Sequence, residues 1–329
     1  MQKPLDFLAI GDITTDAFIR LSHAHVVDSM DHHAKELCVS FGDKIPYESV
    51  DIIRGVGNSP NAAVASAKLG LRSAIITHVG DDQNGKECIE ALTSQGVSDE
   101  FVKINKGIET NYHYVLWYGQ ERTILVKHHE FPYELPNLTI TPRWIYLSSM
   151  GENSLPYHMA IARYVTEHPD VKLAFQPGTF QMKLGVEKLA DIYKHTEVFF
   201  CNVEEARLIL KTDIDDKKEL MKMIAAFGPK IVVITDGING AYAYDGTDTW
   251  FMPIYPHEPY ERTGAGDAFS STFTSALALG KTIDEALLWG PVNAMSVVSD
   301  IGAQRGLLTK AQIADYLAKA PADYIPKKI

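Results

Sequence analysis

Thr263-Gly264-Ala265-Gly266-Asp267 is the stretch on which the reading of this chain turns, and an apolar helical pattern over 266–279 follows it at once. Two glycines around an alanine let the backbone turn tightly and aim successive N–H groups at one spot. The helix that begins there adds its positive end. Such a hollow suits an anion whose charge grows during a reaction, and a carboxylate at its rim, Asp267, can accept a proton from an attacking hydroxyl. The same residues also describe a tight loop with Asp as a helix N-cap. Alone, the stretch serves both readings equally.

Working outward, strand-like and helix-like patterns alternate. Short apolar runs at 7–10, 74–79, 144–148, 173–175, 198–201 and 231–235 read as buried strands. Helical patterns lie at 61–69, 85–95, 157–167, 203–210, 266–279 and 283–299. Strand followed by helix, repeated, predicts an α/β fold with a central, mostly parallel sheet and helices on both faces. Two segments break the rhythm. Residues 13–56 are polar and β-prone with no good helix, and 110–127 alternate as a hairpin does, with a turn at Gly119-Gln120. These predict a small β-sheet outside the main one, contributed by about 13–56 and 108–130. No linker separates two halves, so 1–329 reads as one domain.

Composition narrows the class. The chain has 329 residues, 46% hydrophobic and 22% charged, with a formal net charge of −11. That balance argues against nucleic-acid and membrane-surface partners. Cys38, Cys88 and Cys201 stand far apart, which argues against a disulfide framework and a cysteine zinc site. Residues 1–10 lack the layout of a signal peptide, and no apolar run reaches 18 residues, so a cytoplasmic location is the default expectation.

Several motifs then fall in one order. Val56-Gly57-Asn58-Ser59-Pro60-Asn61 opens a small-residue helix, Val79-Gly80-Asp81-Asp82 makes a turn, and Glu261 to Asp267 carry the glycine hollow. Together they resemble the ribokinase-like (PfkB) family of carbohydrate and nucleoside kinases, over nearly the whole chain. The resemblance implies a ribokinase-like fold in which the small β-sheet is a lid, and an enzyme that transfers phosphoryl from ATP to a hydroxyl of a sugar or sugar-containing molecule.

Position by position, it implies Asp267 as catalytic base, with Gly264, Ala265 and Gly266 supplying anion-binding amides. Asp16, in Gly11-Asp12-Ile13-Thr14-Thr15-Asp16, takes the substrate-hydroxyl role, joined by Gly57, Asn58 and Asn61. Asn202-Val203-Glu204-Glu205 matches an N-x-x-E motif near the nucleotide phosphates, with Glu205 meeting Mg²⁺ through water. Thr235, Gly237 and Gly240 belong to a nucleotide loop, and Asn293 and Gly302-Ala303 flank adenine and ribose. Two departures stand out. Val56 replaces the first glycine of the sugar-site pair, and Glu261-Arg262 replaces an Asp-Thr near which some members hold a monovalent cation, so K⁺ stays an open option. A homodimer paired through the lids is also implied as an option.

The substrate class stays open among free sugars, nucleosides and sugar phosphates. Lys127, His128 and Lys44 suit either a substrate phosphate or plain solvent exposure, the commoner state. Neighbouring histidines, His128-His129 and His32-His33, point to opposite faces of an extended chain and cannot easily share one metal. Two rivals remain: a silent sugar- or nucleotide-sensing protein on the same fold, against which the intact Asp267 argues, and a dinucleotide-binding oxidoreductase, disfavoured because no G-x-G-x-x-G follows the first strand.

Overall fold

The strand Leu5–Ile10 shows why the chain folds as layers. Phe7 and Ala9 enter one hydrophobic core, while Leu8 and Ile10 enter a second on the opposite face. The strand Pro142–Leu147 beside it repeats the pattern, Trp144 and Tyr146 against Ile145 and Leu147. Successive side chains of a strand point to opposite faces, so an apolar run without polar alternation requires cover on both. Each fully buried side chain of this kind contributes about 1.5–3 kcal/mol.

In this computed structural model, which describes residues 5–29 and 35–329, ten strands form the main sheet. The parallel part runs Ile231–Thr235, Thr196–Asn202, Lys172–Phe175, Pro142–Leu147, Leu5–Ile10, Ser73–Gly80 and Val102–Asn105. Helices cover both faces, as the alternation predicts. An antiparallel extension, Ala241–Tyr244, Thr249–Met252 and Lys327–Lys328, was not foreseen; its strands are too short to carry a clear period. Ile10 pairs with Leu147, and Leu147 with Phe175, so the strands end in register and their following residues emerge side by side.

The second sheet has the order Tyr47–Val56, Thr14–Leu21, Tyr112–Tyr118, Glu121–Leu125. Its central pair is parallel and its outer pairs antiparallel. It is the small sheet expected from 13–56 and 108–130. The pair His32-His33 lies outside the described residues.

Helix starts differ from the sequence reading by a few residues, for local reasons. The helix Asn58–Lys68 begins before Asn61 because Gly57, at φ 124, turns the chain into it and Pro60 is tolerated in a first turn. Gln83–Ser94 begins at its cap, where Asp82 Oδ1 accepts the Gly85 N–H at 2.8 Å. The helices Ala265–Ala278 and Ile283–Val298 pack on the first core. Gly290 permits their contact, since a Cβ there would come within 2.8 Å of the Phe269 ring.

Candidate active site

The helix Ala265–Ala278 starts at Gly264, whose φ of 83 is left-handed and whose added Cβ would overlap Ala303. Only glycine fits this position without strain. The turn delivers Asp267 into the first helical turn, 8% exposed. Its Oδ1 accepts from Asn58 Nδ2 at 2.7 Å and Gln176 Nε2 at 3.1 Å, and its Oδ2 from Asn61 Nδ2 at 2.8 Å.

These amides are themselves oriented. Gln304 Nε2 donates to Asn61 Oδ1 at 3.0 Å, which turns the Asn61 NH₂ toward Asp267. The Tyr146 hydroxyl donates to Gln176 Oε1, leaving Nε2 for Asp267. Complete burial, with the charge of Asp267 adding to it, pushes the Tyr146 phenol well above its usual range and keeps it a donor. Gln176 escaped the sequence reading. Its signal was position, since it follows the strand Lys172–Phe175 at the sheet's C-terminal edge, where open α/β sheets bind ligands.

On one side of Asp267 lies a cavity of about 250 Å³. Thr235, Gly237 and Gly240 line one wall and Ala265 and Gly266 another, so these expected nucleotide and anion positions come together. Pro291, Ala294 and Met295 close the apolar end, with His257 and Arg262 at polar points. Asn293 corrects the sequence reading. It is wholly buried, donates to Thr272 Oγ1 at 2.6 Å and accepts from the Leu308 N–H at 2.9 Å, so it ties two helices and a loop together outside the cavity. Its neighbours on the helix face the cavity in its place. Gly302 and Ala303 act as packing positions, Ala303 under Gly264 and Gly302 against Ile53 and Phe18 of the small sheet.

Asn202 caps the helix Val203–Leu210. Its Oδ1 accepts the Glu205 N–H at 2.8 Å, and Glu205 Oε2 accepts the Asn202 N–H at 2.9 Å. Burial pushes the Glu205 carboxyl up. The Asn202 N–H pulls it back, and the charges of Asp267 and Glu204 raise it further. Among the described residues, no three His, Cys, Asp or Glu side chains cluster to hold a metal directly.

The other side of Asp267 faces the small sheet. Gly57 sits so close to the loop after the first strand that a Cβ would lie 2.7 Å from Asp12 O. Asp16 is buried on the strand Thr14–Leu21, its Oδ1 3.4 Å from His113 Nδ1. Asp12 and His128 also enter this side, 3.4 Å apart. Asp12 was not singled out for it beforehand, because it reads as loop punctuation, whereas His128 was weighed as a contact to a substrate phosphate against a solvated lid residue. Lys127 stays exposed against Glu109, and Lys44 is exposed too, so neither reaches the site. The side chains of His128 and His129 meet different partners: His128 Nδ1 lies 3.4 Å from Asp12 Oδ2, while His129 Nε2 lies 3.6 Å from Glu109 Oε2.

Asp267 thus stands as a buried carboxylate between the glycine turn and a polar wall. The profile of the pfkB family carbohydrate kinases matches residues 54–310. Ribokinase of Bacillus subtilis is 26% identical over 80% of this chain and 87% of its own length. A 5-dehydro-2-deoxygluconokinase of Geobacillus thermodenitrificans is 26% identical over 96% of this chain and 94% of its own. The structure of Arabidopsis thaliana ribokinase complexed with ribose and ATP superposes with a TM-score of 0.77, at 17% identity, over 96% of this chain and 99% of that one. The fold is ribokinase-like, and the chain belongs to the pfkB family of carbohydrate kinases.

Proposed function

We propose that this kinase transfers the γ-phosphoryl group of ATP to a hydroxyl of a sugar or sugar-containing small molecule, with Asp267 as the base. The observation that carries this is Asp267 standing beside the Gly264–Gly266 turn, between the cavity of about 250 Å³ and the lid-facing wall. The acceptor oxygen bonds to phosphorus as the bond to the β–γ bridging oxygen breaks. That electron pair leaves with ADP, and the acceptor proton passes to the Asp267 carboxylate. The helix start and the amides of the turn meet the charge on the moving group.

The residues suit the implied nucleotide and metal. Thr235, Gly237 and Gly240 lie where the nucleotide would sit, and Arg262 supplies a cation at its rim. Glu205, buried and crowded by the charges of Asp267 and Glu204, is a place where a water-bridged Mg²⁺ would relieve repulsion. When bound, Mg²⁺ neutralises polyphosphate charge and stabilises the leaving oxygen. K⁺ fits less well. Glu261 is fully buried and already accepts from Thr263 N and Oγ1 at 2.8 and 2.6 Å and from the Gly302 N–H at 3.4 Å. We therefore expect turnover without K⁺.

Asp267→Asn tests the reading. It should lower kcat by about 10²–10⁴-fold while ADP still raises the melting temperature. Unchanged turnover would remove Asp267 from the chemistry, and a wild type that binds ATP yet phosphorylates no acceptor would favour the sensing reading.

The outer face of the lid supports a homodimer. Ile52, Ala17, Tyr114 and Leu125 stand opposite one another across the four strands, and Ile52, Tyr114 and Leu125 are 43%, 49% and 51% exposed. A row of that kind suits burial against a second copy.

A further inference from the structure

The lid-facing wall holds a set of groups that the transfer chemistry does not use. Asp12 and Asp16, 7% and 8% exposed, each stand 3.4 Å from an imidazole nitrogen, of His128 and His113 respectively. The two rings meet edge-on, 5.2 Å between centroids, and Phe180 closes on His128 at 5.8 Å. The Tyr133 hydroxyl donates to Asp12, 2.8 and 2.9 Å from its two oxygens, fixing that carboxylate. Three polar atoms of this set, Asp16 Oδ1, His113 Nε2 and His128 Nδ1, are buried without a hydrogen-bond partner. Buried polar atoms left unpaired are costly, and three in one cluster beside a catalytic carboxylate point to a ligand that satisfies them.

We infer that the acceptor is an uncharged polyhydroxylated molecule, and that Asp12, His128 and His113 join Asp16 in selecting it. This rests on the kinase reading above. A hydroxyl both donates and accepts, so one diol can donate to Asp16 Oδ1 and accept from an imidazole N–H. A carboxylate or phosphate on the acceptor can do neither for Asp12 or Asp16, and would sit among three carboxylates, Asp12, Asp16 and Asp267. Each imidazole already faces a carboxylate, Lys127 is paired with Glu109 at 3.2 Å, and Arg54 is paired with Glu87. Like charge brought together in this way costs several kcal/mol, so discrimination should be large.

The test measures kcat/KM from ADP release with Mg-ATP and matched acceptors: an aldose, its aldonic acid and its terminal phosphate, repeated for a ketose and its phosphate. The neutral member should exceed both anionic members by about 100-fold. Asp12→Asn keeps an acceptor for Tyr133 but removes the charge, and should narrow that ratio by about tenfold. His128→Gln gives a second variant should Asp12→Asn not fold. An anionic acceptor used as well as its neutral partner overturns the inference and leaves the kinase reading intact. So does a folded Asp12→Asn enzyme with an unchanged ratio, or loss of turnover in Lys127→Gln. A wild-type enzyme that turns over no acceptor in the panel removes both.

Discussion

Arg262 Nη1 donates to Glu121 Oε1 at 2.8 Å, joining the residue just ahead of the glycine turn to the outermost strand of the lid. The same arginine lines the cavity beside Ala265 and Gly266. Nearby, Tyr260 packs edge-on against Trp117 at 5.2 Å and accepts from Arg20 Nη1 at 3.1 Å. The lid therefore rests on the segment that leads into the glycine turn.

The Arg262–Glu121 pair is exposed, its side chains 45% and 67% accessible, so it adds at most about 1 kcal/mol of stability. Its role is placement. Arg262→Ala should leave the melting temperature unchanged but raise the KM for ATP by roughly tenfold, the loss of one charge-assisted hydrogen bond. Glu121→Gln should do less. Steady-state kinetics with ATP varied decide it, and equal KM values in wild type and Arg262→Ala would refute it.

Gly264→Ala should be far worse than its size suggests. The new methyl meets a left-handed φ of 83 and overlaps Ala303. The backbone alone costs about 1–2 kcal/mol. We expect a lower melting temperature and loss of turnover together. An active, fully stable variant would show that the turn is not held by this contact.

Glu205 links acidity to stability. Burial raises its carboxyl above the ordinary 4.5, so the folded state holds that proton more tightly than the unfolded chain. The contribution is therefore fully present below about pH 4.5 and is lost as pH rises through the raised folded value. Glu205→Gln keeps the helix-capping geometry but not the charge. Without ligand, its melting temperature should exceed wild type at pH 7 and converge with it toward pH 4.5. Mg-ATP affinity should fall about 10–100-fold. A constant difference across that range would reject the assignment.

Tyr114→Arg, on the exposed lid row, should convert a dimer to a monomer by analytical ultracentrifugation, with little change in melting temperature at low protein concentration. A wild type that sediments as a monomer would remove the lid-pairing reading.

Much of this was legible before any coordinates. The parallel strands announced themselves because burial on both faces leaves only apolar letters, as in Phe7 to Ile10. The lid hairpin was legible because Tyr112 to Tyr118 alternate and Gly119-Gln120 turn. What stayed hidden depends on distant partners. Gln176 is an ordinary strand-end glutamine until Asp267 arrives from 91 positions away. His128 belongs to the site only because the lid folds over Asp12. Asn293 misled for the converse reason: helix packing consumed both ends of its amide.

The contact between Asn58 and Asp267 spans 209 positions, and the lid's central parallel pair waits for residue 112 to meet residue 15. Neither can form early as the chain leaves the ribosome, because the closing segments do not yet exist. Such non-local closures are slow steps in folding. Catalytic competence is thus the last property acquired. A partly made chain lacks both closures, however well its first strands associate.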